Sequence, residues 1–151
     1  MTREEFIKMM GERVKLVRTE YSLNQDKMAY ILGISKKTLI EIEKGRISLG
    51  WTASVAMGTI FPDSTILQND FGGEVSDLIS SIAFSEITPI YPSTMGGRVW
   101  WKDIKKIKGY RIQQNIISQH YRLLDKNDGR IISSFDLKII EDRLNDEIGE
   151  E

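Results

Sequence analysis

The chain has 151 residues, 40% of them hydrophobic and 28% charged, and a net charge of −1, a composition that suits one folded domain or two small ones and predicts no disordered tract. It holds no cysteine, which excludes disulfides, thiolate metal sites and cysteine nucleophiles, and its single histidine, His120, excludes a multi-histidine metal site within one chain. No apolar run approaches the roughly eighteen residues of a membrane span, and MTREEFIKMMGER lacks the apolar core of an export signal, so a cytoplasmic setting without membrane contact is expected.

The first predicted helix begins at Thr2, whose hydroxyl can accept from free backbone amides while Glu5 reaches back to complete a capping box. Phe6, Met10, Val14 and Val17 then recur at helical spacing as one apolar stripe. After Tyr21 and Ser22 come two short helical patterns around Gly33, followed by a helix from about Ser48 to Ile60 that stops near Pro62. Residues 63–69 add a short further helix, for four or five in all. Residues 1–65 carry ten Lys or Arg against eight Asp or Glu, whereas residues 66–95 carry none against four. Within that acidic stretch Gly72-Gly73 interrupts, and Val75, Leu78, Ile79 and Ile82 predict a linking helix. Thr88 to Gly97, with Pro89, Pro92 and two glycines, is the expected interdomain connection. The predicted division is therefore a first domain at 1–70, a connecting helix and linker at 71–97, and a second domain at 98–151.

In the second domain, Trp100 to Ile107 reads as a short helix, and strands are expected at Tyr110 to Asn115, His120 to Asp125 and Arg130 to Phe135. Lys126-Asn127-Asp128-Gly129 is the hairpin turn between the last two, with glycine and asparagine expected to take the positive backbone angles. Ser133 or Ser134 is the expected cap of a final helix carrying Leu137, Ile140, Leu144 and Ile148 on one face. The fold class is thus an all-α N-terminal domain followed by a small α+β domain with an antiparallel three-stranded sheet.

Charge is segregated here too: residues 98–130 hold nine basic side chains (Arg98, Lys102, Lys105, Lys106, Lys108, Arg111, Arg122, Lys126, Arg130) against Asp103, Asp125 and Asp128, while residues 136–151 sum to −5. Positive segments set between acidic ones suit contact with a polyanion through selected faces, or reflect simple clustering of surface charge. Trp100, Trp101, Tyr110 and Tyr121 lie among these cations. On a small sheet such aromatics belong mostly to the core, the alternative being a stacking surface for unpaired bases. Of the adjacent Trp100 and Trp101, at most one is expected to face inward. No nucleophile accompanies His120 in a recognisable motif, so a structural histidine is expected rather than a base. Gly72-Gly73 and Gly96-Gly97 lack the following Lys-Ser or Lys-Thr of a phosphate loop.

Residues 25–44 meet a demanding steric pattern. Ala29 is small where a second helix crosses closely, Gly33 sits where a tight turn needs a left-handed backbone, and Met28, Leu32, Ile34, Leu39 and Ile42 supply the apolar contacts. With these positions filled, LNQDKMAYILGISKKTLIEIEKG resembles the Cro and phage-repressor (XRE-like) helix-turn-helix family, and GERVKLVR resembles that family's first helix, over residues 6–62. The resemblance implies roles by position. Gln25, first in the second helix, would grip a DNA phosphate. Lys36, Lys37, Ile40 and Glu41, on the third helix, would enter the major groove as base-reading side chains, and Thr38 would meet the backbone. Lys44, Arg46 and Ser48 would contact phosphates, while Arg18 and Glu43 would form a helix-to-helix ion pair that braces the fold. Implied with these is a transcriptional regulator, expected to repress, which binds double-stranded DNA as a homodimer without cofactor, metal or enzymatic activity. The self-cleaving domain of some phage-type repressors is not expected, for the chain has no Ala-Gly cut site. The alternative is an antitoxin or inhibitor whose C-terminal domain binds a protein or nucleic-acid target.

Overall fold

A computed structural model describes residues 1–90 and 100–149. Most of the expected connection, with Pro92, Gly96, Gly97 and the basic Arg98, lies outside the described residues. Contacts divide the chain into two compact units, Met1–Tyr91 and Pro92–Glu151.

The first unit is helical: α1 (Arg3–Glu20), α2 (Gln25–Leu32), α3 (Lys36–Glu43), α4 (Gly50–Ile60), α5 (Thr65–Phe71) and α6 (Val75–Ala83). At the start of α1, the Thr2 hydroxyl accepts from the Glu5 amide at 3.1 Å and the Thr2 amide donates to the Glu5 carboxylate at 2.6 Å, closing the capping box. The stripe of Phe6, Met10, Val14 and Val17 is wholly buried and packs with Met28, Leu39, Met57 and Leu67 in one core. Each such burial stabilises by about 1.5–3 kcal/mol, which is what orders helices as short as α2 and α3.

The α5 N-terminus is tied to α1 by Glu20, whose carboxylate accepts from the Ser64 hydroxyl at 2.5 Å, the Thr65 amide at 2.8 Å and the Thr65 hydroxyl. The segment expected to link the domains instead joins this core: Val75 and Ile82 of α6 are buried in it, with Leu78 and Ile79 packed alongside. Gly58 on α4 permits the approach, since a Cβ there would stand 2.8 Å from Ile79 Cδ1 and 3.0 Å from Val75 Cγ1. The apolar spacing of α6 therefore marks a helix packed on this core.

The second unit holds β1 (Trp101–Ile107), β2 (Tyr110–Asn115), β3 (Tyr121–Leu124), β4 (Arg130–Ser134) and α7 (Leu137–Gly149). The sheet is an antiparallel meander in the order β1-β2-β3-β4, so it has four strands and not three. The additional strand is the segment read as a helix. Its alternation is broken by a bulge between Asp103 and Lys105, which places Ile104 out of register and blurs the period of two. Lys108 and Gly109, with φ of 48° and 88°, form the two-residue loop that turns β1 into β2.

In the β3–β4 loop Asp128 takes the positive angle at φ 65°, where glycine or asparagine was expected. The Asp125 carboxylate accepts from the amides of Asn127 and Gly129, both at 2.8 Å, and a Cβ on Gly129 would stand 2.7 Å from that carboxylate. A side chain there would push the carboxylate off the two amides it holds, which favours glycine. Asp136, not Ser133 or Ser134, supplies the side chain at the start of α7, accepting from the Lys138 amide at 2.9 Å, while the Ser134 hydroxyl holds the Asp136 amide.

Helix α7 places Ile140 and Leu144 on the sheet face that carries Tyr110, Ile112 and Leu123, and these five buried side chains form the second core. Tyr110 and Tyr121 thus belong to the core side. Neither tryptophan does: Trp100 is 43% exposed, and Trp101, opposite Asn115 in the register, lies on the other face of the sheet. No helix among the described residues is long and apolar enough to cross a membrane.

Candidate nucleic-acid interface

Helices α2 and α3 are joined by three residues whose backbone is fixed at every step. The Asn24 side chain caps α2 by accepting from the Lys27 amide at 2.8 Å. At its other end Gly33 adopts φ 70° and ψ 30°, which lets the Ile34 amide reach the Ala29 carbonyl at 3.0 Å. Ser35 then caps α3, its hydroxyl accepting from the Thr38 amide at 3.0 Å and donating to the Thr38 hydroxyl at 2.8 Å. Ala29, 3% exposed, sits under this crossing, and Leu39 and Ile42 point into the core beneath α3. At 100° per residue, this leaves Lys37, Ile40, Glu41 and Lys44 on the outward side, with Lys36 at its margin.

The far end of α3 is equally defined. Gly45 at φ 72° closes it, with the Arg46 amide bonded to the Glu41 carbonyl and the Gly45 amide to the Ile42 carbonyl, both at 2.9 Å. The chain is thereby turned so that Lys44, Arg46 and Ser48 are all exposed beside α3. The Ser48 hydroxyl accepts from the Gly50 amide at 3.1 Å at the entry to α4.

The charged groups divide into a nearly buried brace and a set on the surface. The guanidinium of Arg18 meets the carboxylate of Glu43, whose side chain is only 6% exposed, and also donates to the Leu23 carbonyl at 3.1 Å. Gln25 joins the same cluster, its Nε2 donating to Glu43 Oε2 at 2.8 Å. The residue expected to hold a phosphate is therefore oriented by the brace, a coupling that spacing alone does not disclose. On the surface, Lys36 pairs with Asp26 at 2.9 Å and Arg46 with Glu41 at 3.4 Å. Among the described residues, Lys37 and Lys44 have no carboxylate partner. A groove between α1 and the α3–α4 turn adds Lys8 and Lys15 beside Lys44 and Arg46. Those two lysines sit on the polar face of α1, where nothing in the sequence separates them from ordinary solvated cations.

This arrangement is two short helices, a left-handed hinge and an outward polar helix face. Residues 11–56 match the family model of the helix-turn-helix domain. The matched segment runs from the middle of α1 into α4 and contains both helices, the Gly33 hinge and the Arg18–Glu43 brace. A helix-turn-helix domain is a DNA-binding architecture. No curated protein and no solved structure matches the chain.

Among the described residues no group of histidine and carboxylate side chains is arranged to hold a metal ion. His120 stands at the end of the sheet, its Nδ1 hydrogen-bonded to the Ser118 hydroxyl and its ring edge-on to Trp101 at 5.0 Å.

Proposed function

We propose that the chain is a sequence-specific regulator of the Cro and phage-repressor type, which represses transcription by binding double-stranded DNA as a homodimer in the cytoplasm and catalyses no reaction. The observation that carries this reading is the outward side of α3: Lys37, Ile40, Glu41 and Lys44 are presented by a helix whose two ends are capped and whose inner face is buried. A side chain held on a rigid helix loses little freedom on contact with a base edge, and that is what discrimination between base pairs requires.

Lys36 and Lys37 donate to guanine edges or phosphates, Ile40 meets a thymine methyl, and Glu41 accepts from cytosine or excludes other bases. Thr38, Lys44, Arg46 and Ser48 engage the sugar-phosphate backbone, and Gln25 does so from the start of α2, where helix amides favour an anion. Two such modules related by a twofold axis read half-sites roughly 34 Å apart.

Selection of bound duplexes from a random pool tests the reading directly. A palindromic consensus, lost in the Lys36→Ala with Lys37→Ala variant, is expected. If no sequence is enriched over that variant at moderate salt, the α3 reading is wrong. If the consensus is a single asymmetric half-site, the homodimer is wrong.

A further inference from the structure

The face of the β1–β4 sheet opposite α7 is chemically unlike the rest of the second unit. The strand register places Trp101, Asp103 and Lys106 of β1 on that face, opposite Asn115, Gln113 and Arg111 of β2. Arg122 and Leu124 of β3 and Arg130 of β4 continue it. Its cations are crowded. Burial holds the Arg122 guanidinium below its ordinary pKa, and the charges of Arg111 and Arg130 push the same way. Two of its groups are prearranged, since Arg122 donates to Gln113 Oε1 at 2.9 and 2.7 Å while its guanidinium lies 3.7 Å from the centre of the Trp101 ring.

At one end of the sheet the planar side chains form a row: Trp101 meets His120 at 5.0 Å, and His120 meets Phe135 at 5.8 Å. Phe135 is 76% exposed. An apolar ring left in water at the end of this row, next to His120, is not explained by the core, which lies on the other side of the sheet. The charge of the unit is polarised in the same sense. By the strand register Lys106, Arg111, Arg122 and Arg130 lie with Asp103 on the face opposite α7, Lys102 and Lys105 lie on the α7 side, and α7 with Asp136 carries two Lys or Arg against five Asp or Glu. A polyanion is therefore drawn to the sheet and repelled by the helix.

We propose that the sheet face opposite α7 binds single-stranded nucleic acid, with phosphates held by Lys106, Arg122 and Arg130 and an unpaired base stacked on Phe135. Lys106 is paired with Asp103 at 3.0 Å and Arg111 with Asp128, carboxylates that phosphates would displace. A row of cations of this kind suits a phosphodiester chain, and the exposed ring suits a base whose face is free, which a duplex does not offer. An acidic polypeptide satisfies the cations and leaves the ring without a partner. This site is separate from α3, and the two fail independently.

The test is fluorescence anisotropy of the full chain with a labelled oligothymidylate of about twenty nucleotides, with Arg130→Glu and Phe135→Ser as the diagnostic variants. Both side chains are exposed, so the variants retain the parent's thermal midpoint. Phe135→Ser is expected to weaken binding about five- to a hundredfold, the range for loss of one stacked base. Arg130→Glu is expected to flatten the dependence of log Kd on log salt by about 0.7 or more. Lys36→Ala with Lys37→Ala is expected to leave oligothymidylate binding unchanged. The proposal is overturned if both sheet variants bind as the parent does, if the α3 variant abolishes binding, or if unlabelled duplex or polyglutamate competes as well as unlabelled oligothymidylate.

Discussion

The guanidinium of Arg18, in the last turn of α1, closes on the carboxylate of Glu43 at the end of α3, with Nε 2.5 Å from Oε1 and a terminal nitrogen 3.3 Å from Oε2. One pair thereby fixes the end of α3 to α1, the longest helix of the unit. With Arg18 replaced by methionine, a nearly buried carboxylate keeps only Gln25 as a side-chain partner, and the loss is expected to be about 2 kcal/mol in urea unfolding. Arg18→Met with Glu43→Leu removes both charges and recovers most of it. A double variant no more stable than the single one rules out an uncompensated charge as the cause.

Packing at the hinge and backbone strain at the hinge are separable. Ala29→Leu forces added volume under the α2–α3 crossing and is expected to cost about 1–3 kcal/mol. A Cβ at Gly33 meets nothing within 4 Å, so Gly33→Ala pays only for its left-handed backbone, about 1 kcal/mol. A larger loss from Gly33→Ala than from Ala29→Leu in the same denaturant titration contradicts this division.

Lys36 is held by Asp26, and Arg46 by Glu41. If α3 binds DNA as proposed, each carboxylate competes with phosphate for its cation. Asp26→Asn is therefore expected to raise affinity for duplex DNA roughly two- to fivefold, the range for one exposed ion pair, and to steepen the salt dependence. Filter binding across a salt series measures both. Weaker binding by Asp26→Asn shows instead that Asp26 positions Lys36 for contact.

Glu20 gives the unit a defined acid response. Burial opposes its charge, but the hydrogen bonds from Ser64 and Thr65 outweigh burial and hold its carboxyl below the ordinary glutamate range. A folded-state pKa below the unfolded one stabilises above the unfolded value, and that contribution is lost as pH falls through the folded value. The stability difference between the parent and Glu20→Gln is thus expected to be largest near neutral pH and to shrink below the ordinary glutamate range. A difference that is constant with pH assigns the effect to hydrogen-bond geometry alone.

The legible parts of this chain are those where one local pattern has a single structural solution. Thr2 with Glu5 defines a helix start, Phe6 to Val17 a buried stripe, and Ala29 with Gly33 a crossing and its hinge; each depends on residues a few positions apart. The pairing of Gln25 with Glu43 and of Lys36 with Asp26 depends on the angle between helices, which no spacing encodes. In the second unit the alternation of β2 and β3 was readable because their inward residues meet α7. That of β1 was not, because six of its seven residues are exposed and a bulge interrupts it.

The readable signal for β1 was its turn. Lys108 and Gly109 both have positive φ, as a two-residue hairpin loop matched to strand twist requires, and asparagine followed by glycine fills such a loop best. Lys108→Asn is therefore expected to stabilise the second unit by several tenths of a kcal/mol, since asparagine tolerates the left-handed region better than lysine. Gly109→Ala acts oppositely: it takes φ of 88° with a side chain, and its Cβ would stand 2.8 Å from Lys126 Cγ. A loss of about 1–2 kcal/mol is expected. Amide hydrogen exchange across β1 and β2 reads the result locally, with faster exchange at Ile107 and Tyr110 in Gly109→Ala and slower exchange in Lys108→Asn. If both substitutions leave exchange in these strands unchanged, the loop does not set the β1–β2 register, and the pairing of Trp101 with Asn115 at the far end must do so instead.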